Sequence, residues 1–171
     1  MIQLSEMTLM RGNRVLLDTT SAQINPGQKV ALIGSNGCGK STLLRLLNKE
    51  LPDFVGNVSF ASNAVVALIE QHLPKRLLSL SMLDAVTDNL PLNMQQTEQW
   101  RAQITLSNLG FDESYWNQLV GTLSGGQYAR VLVARALILE PDVLLLDEPS
   151  NHLDLPTLLW LEQFLKDWRG T

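Results

Sequence analysis

Apolar and polar residues alternate along residues 2–24, and Gly12-Asn13 punctuates the alternation midway, which predicts two antiparallel strands joined by a turn. After the break at Asn25-Pro26-Gly27, the apolar run at residues 29–33 reads as a short strand leading into a glycine-rich loop. Leucines at helical spacing follow over residues 41–50. Residues 58–69 predict further strand with a turn near Ser62-Asn63, stopping at Glu70-Gln71. Between residues 74 and 120 the period becomes helical. Helices are expected at 82–89 and 96–109, separated by Pro91 and closed by Gly110. The last part predicts a helix at 124–140, a fully apolar strand at 142–146 and an amphipathic helix at 155–168.

Composition narrows the class. At 171 residues the chain suits one domain with a real core, and 45% hydrophobic with 18% charged residues describes an ordinary globular protein. A formal net charge of -4 lends no support to nucleic-acid binding through global charge. The single cysteine, Cys38, makes an internal disulfide impossible, and a cytoplasmic setting is expected. No apolar run approaches the roughly 20 residues of a membrane span, so direct membrane insertion is not expected.

Strand, glycine loop and helix is the order that a phosphate site requires, and Gly34-Ser35-Asn36-Gly37-Cys38-Gly39-Lys40-Ser41 satisfies G-x-x-x-x-G-K-[ST] at that place. Glycines let backbone N–H groups point at phosphate, and the helix N-terminus adds positive potential. Lys40 then supplies a charge to the β- and γ-phosphates, Ser41 a hydroxyl for Mg²⁺, and Thr42 continues the ATP-binding run. Cys38 reads as a small filler, since no base lies near it in sequence. Further on, the apolar strand ends in Asp147-Glu148. Two adjacent acids there can divide the labour, Asp147 holding Mg²⁺ and Glu148 orienting or deprotonating the attacking water.

Leu123-Ser124-Gly125-Gly126-Gln127 opens the helix that precedes this acid pair. With this word in place the chain resembles the ATP-binding cassette (ABC) ATPases, over essentially its whole length. The resemblance implies an α/β P-loop NTPase (RecA-like) core, an N-terminal antiparallel β-layer and a helical signature subdomain at about residues 73–140, inserted between Gln71 and the acid pair. It implies a single cassette over residues 1–171, incomplete at its C-terminal end. The next core strand, with a switch histidine, is expected just past Thr171, leaving apolar edges on both its neighbours; neither His72 nor His152 takes that role. Gln71 falls where the family's Q-loop glutamine bridges Mg²⁺ or the lytic water. Ser150-Asn151-His152-Leu153-Asp154 falls at the D-loop, where Asp154 also reads as a helix cap.

In the family two cassettes pack head to tail, and the signature residues Ser124 and Gly126 meet the γ-phosphate held by the partner. The expected partner is therefore a second ABC domain, in the same chain or in a homodimer. The D-loop wording resembles the F subfamily, soluble members of which mostly act on ribosomes. Residues 71–124 hold an ordinary helical insertion but no long arm. Arg11 stands where the family usually has an aromatic residue on adenine, and a guanidinium can also stack on a flat base. Two other readings remain, the motor subunit of a membrane transporter and a non-catalytic ATP-gated switch.

Overall fold

A computed structural model describes residues 1–50, 54–69, 74–149 and 153–171. The chain divides into two units. The first comprises Met1–Leu68, Asp142–Asp147 and Arg169–Thr171, and the second Ile69–Pro141 and Glu148–Trp168.

In the first unit, strand β1 (Ile2–Arg11) lies between β2 (Arg14–Ile24) and β3 (Val55–Phe60), antiparallel to both. The buried positions of β1 are Ile2, Leu4, Met7 and Leu9, so the alternation changes phase between Leu4 and Met7. Glu6, with φ 49, causes the change. Its extra residue moves the register from Leu4↔Ala22 to Met7↔Thr20 and turns the following side chains over to the same face. Helix α1 (Lys40–Leu47) brings Leu46 and Leu47 to that face, and strand β5 (Val143–Leu146) brings Val143 and Leu145. Each such large apolar side chain contributes roughly 1.5–3 kcal/mol by leaving water. Strand β4 (Val66–Ile69) pairs with β5.

The strand expected at residues 29–33 does not form. Those residues have no regular structure, and Val30, Leu32 and Ile33 are exposed, Ile33 at 91%. An apolar run becomes a strand only where a neighbour takes its N–H and C=O groups, and no described strand lies beside this one. Thr171 pairs with β5, beside which the next core strand is expected. It donates to Asp142 O at 2.9 Å and accepts from Leu144 N at 2.8 Å, while its hydroxyl accepts from Gly27 N and Gly170 O accepts from Lys29 Nζ.

The second unit is helical. It contains α2 (Met82–Thr87), α3 (Gln99–Asn108), α4 (Gly125–Leu137) and α5 (Leu155–Asp167). Each predicted helix is present, shortened by one to three residues at an end. Ser81 starts α2 by accepting from Asp84 N at 3.1 Å, an N-cap that satisfies one orphan amide. Helix α4 packs on α2 and α3 and buries Val131, Val133, Ala134 and Ala136. Arg135 is buried with them and is satisfied by Ala85 O and by Asp88 Oδ2 at 3.5 Å; Arg76 holds the same carboxylate bidentately at 2.6 and 2.9 Å.

Candidate functional site

The phosphate loop belongs wholly to the first unit. Helix α1 starts at Lys40 behind Gly39, whose φ of 108 is a left-handed conformation in which a side chain would be strained. A Cβ at Gly39 would also come within 2.9 Å of Leu16 Cδ1, so glycine serves both the turn and the close approach of β2. The first intrahelical bond runs from Leu43 N to Gly39 O, so the amides of Lys40, Ser41 and Thr42 have no acceptor from the helix. The first turn has no acidic residue and Gly39 has no capping side chain, which leaves those amides and the helix dipole to an anion.

Lys40 Nζ donates to Gly34 O at 3.0 Å and to Ser35 O at 3.3 Å, which folds its ammonium back over the loop. Cys38 N bonds to Ser35 O at 3.2 Å and closes the turn. Its thiol lies over Gly34, where a Cβ would sit 2.6 Å from Sγ, so the filler role expected of Cys38 has a definite place: it occupies the space that glycine leaves. Asn36 and Gly37 form the exposed tip of the loop.

Asp147 follows β5 in the same unit and is half-buried. Glu148, the first residue of the second unit's last segment, is exposed and has φ 48. A left-handed conformation costs a non-glycine residue roughly 1–2 kcal/mol, the kind of local strain that concentrates at functional positions.

The signature residues lie at the start of α4. Ser124 and Gln127 form a capping box, Ser124 Oγ accepting from Gln127 N at 3.3 Å and Gln127 Oε1 accepting from Ser124 N at 3.0 Å. Leu123 is half-buried, and a Cβ at Gly125 would meet nothing within 4 Å. Gly126 is tight. A Cβ there would fall 2.4 Å from Thr157 Oγ1 on α5, whose N-cap is Asp154. Asp154 accepts from Thr157 N at 3.1 Å, and its bonds with the Thr157 side chain and amide hold its carboxyl below the ordinary range. Signature and D-loop aspartate thus share Thr157, a buried residue that sequence reasoning did not single out. Leu153 is half-buried beside Asp154. Gln71, His72, Ser150, Asn151 and His152 lie outside the described residues.

Arg11 is exposed at the end of β1 and pairs in register with Arg14 across the hairpin turn. No group of three His, Cys, Asp or Glu side chains that could hold a metal occurs among the described residues. A divalent ion here would need phosphate oxygens as further ligands, which suits Mg²⁺, an ion bound by one or two protein oxygens plus substrate.

The profile of the ABC transporter family matches residues 17–151. The chain belongs to that family. As a cassette it carries the nucleotide-binding ATPase domain characteristic of the family, on the P-loop α/β fold. It is similar to the probable ATP-binding protein YheS of Escherichia coli K12, at 39% identity over 198 aligned positions that span 100% of this chain and 31% of the relative. It is also similar to elongation factor 3 of Phytophthora infestans, at 35% identity over 94% of this chain and 15% of the relative. Among solved structures, a dimeric bacterial ABC transporter cassette superposes with a TM-score of 0.77 at 28% identity, covering 97% of this chain and 82% of that one. The cassette therefore spans less than a third of the length of YheS. Among the described residues no helix is long and apolar enough to cross a membrane.

Proposed function

We propose that this cassette binds Mg-ATP and hydrolyses it as one half of a head-to-tail pair of ABC domains. The observation that carries the reading is the start of α1, where three amides without helical acceptors, a glycine N-cap and the folded-back Lys40 surround one anion position. Ser41 and Asp147 offer hard oxygen donors that fit Mg²⁺, with Gln71 as a further contact. Glu148 then acts on the attacking water as general base. Arg11 stacks on the base.

The start of α4 is a second anion site, in which the amides of Gly125 and Gly126 stay available beside the Ser124–Gln127 capping box, and it serves the partner's nucleotide. A solved relative is dimeric, which supports this pairing. Gly125→Asp tests it cleanly. The space around Gly125 is open and an acid in the first turn suits the helix dipole, so the fold is retained while a carboxylate faces the incoming γ-phosphate. Expected are unchanged ATP binding to the phosphate loop and loss of hydrolysis; hydrolysis at the wild-type rate would remove the paired-site reading.

The D-loop wording and the similarity to YheS and to elongation factor 3 support a protein of the F subfamily acting on the translation machinery. A transporter motor is the second reading, favoured by the likeness to a transporter cassette. ATP-dependent co-sedimentation of the intact protein with ribosomes supports the first, and ATP-independent recovery with a membrane permease the second.

A further inference from the structure

Helices α4 and α5 of the second unit meet along one seam. Gly126 and Arg130, one turn apart on α4, share a face, and so do Thr157 and Trp160 on α5. Gly126 lies against the Thr157 hydroxyl, and the Arg130 guanidinium lies 5.0 Å from the centre of the Trp160 ring. The two contacts follow the same order along both helices. The N-terminus of α4 therefore lies beside that of α5.

The two ends differ in charge. No acid stands in the first turn of α4, and its cap, Ser124, is neutral, whereas α5 carries its own anion, Asp154, at the N-cap. A loose carboxylate at that place would compete with phosphate for the Gly125 and Gly126 amides and repel it. Thr157 stands between the two ends. It is 4% exposed, its amide donates to Asp154 Oδ1 at 3.1 Å, its hydroxyl gives the same carboxylate a second bond, and that hydroxyl abuts Gly126. The third position of a capped helix ordinarily suits Glu or Gln reaching back to the cap, as Gln127 does in α4. In α5 the position instead holds a buried threonine, and the amide bond alone would serve the cap.

We propose that Thr157 is a positioning residue for ATP hydrolysis at the paired site: its hydroxyl holds the Asp154 carboxylate on α5 and braces Gly126, keeping the signature amides open to the partner's γ-phosphate. Thr157 acts through Gly126 and Asp154 and touches no nucleotide itself. The inference deepens the paired-site reading and rests on it.

The test is equilibrium ATP binding and steady-state phosphate release by the intact protein, for the wild type, Thr157→Ala, Thr157→Ser and Gly125→Asp, below the unfolding temperature of each. The alanine and serine variants add no atom against Gly126. Should Thr157→Ala unfold at the assay temperature, Thr157→Val, which keeps the volume and lacks the hydroxyl, carries the same expectation. The expected result is that Thr157→Ala lowers kcat/KM about ten- to a hundredfold through misplacement of the signature, while ATP affinity at the phosphate loop is unchanged. Thr157→Ser, which keeps the hydroxyl, recovers more than half of the loss on a logarithmic scale. Wild-type kcat/KM in Thr157→Ala overturns the proposal. Equal impairment of the serine and alanine variants overturns it too, because the loss then follows packing and not the hydroxyl, and so does weakened ATP binding in Thr157→Ala, which places the effect on the phosphate loop. Hydrolysis at the wild-type rate by Gly125→Asp would instead overturn the paired-site reading beneath it.

Discussion

Gly126 at the start of α4 lies against Thr157 on α5 so closely that a Cβ at Gly126 would come within 2.4 Å of Thr157 Oγ1. The contact fastens the signature to the helix that Asp154 caps, and Arg130 of α4 strengthens the same join by lying 5.0 Å from the centre of the Trp160 ring. Gly126→Ala should therefore cost about 1–3 kcal/mol through overpacking. Thr157→Ala in the same chain vacates the space, so the double variant should be more stable than the sum of the two single losses predicts. Thermal unfolding of the four forms measures the coupling, and strict additivity would show that the two residues do not meet.

Asp88 carries the charge balance of the helical unit. The Arg76 hydrogen bond, helped by the charges of Arg76 and Arg135 and opposed by partial burial, holds its carboxyl below the ordinary carboxylate range. The stabilisation is complete above the unfolded value of about 3.9 and is lost as the pH falls through the lower folded value. Asp88→Asn should cost about 1–3 kcal/mol at neutral pH, because buried Arg135 loses its carboxylate. The difference from wild type should shrink below pH 4. A difference that is constant from pH 7 to pH 3 would contradict the assignment.

Cys38 is half-buried with its thiol over Gly34, inside the loop that is to close on phosphate. A thiol reagent should modify it in the free protein, and Mg-ATP should protect it. Mass spectrometry of labelled protein checks this, and equal labelling with and without nucleotide would count against the placement.

Sequence legibility followed the kind of constraint. The helix starts at Lys40 and Gly125 were legible because the phosphate-loop and signature words fix residues at fixed spacing, and the helices of the second unit because leucine periodicity and caps such as Ser81 and Ser124 agree. The F-subfamily wording of the D-loop is matched by the similarity to YheS. Positions set by long-range contact were not legible. The bulges at Glu6 and Leu16 shift the strand phase without a turn residue to announce them, and only the register reveals that Arg14 faces Arg11. Residues 29–33 have the composition of a strand, but their pairing depends on a neighbour that local sequence does not specify. Thr157 carries no signal in the sequence, because its contact with Gly126 exists only where α4 and α5 pack together.

Steady-state phosphate release by Glu148→Gln in the intact protein, measured with the ATP retained on it, tests the central claim most directly. The amide keeps the shape of the side chain and cannot take a proton, so turnover should fall about 10²- to 10⁴-fold while ATP stays bound in a paired, head-to-tail form. Hydrolysis at the wild-type rate would contradict the assignment of Glu148 as the base of an ATPase site.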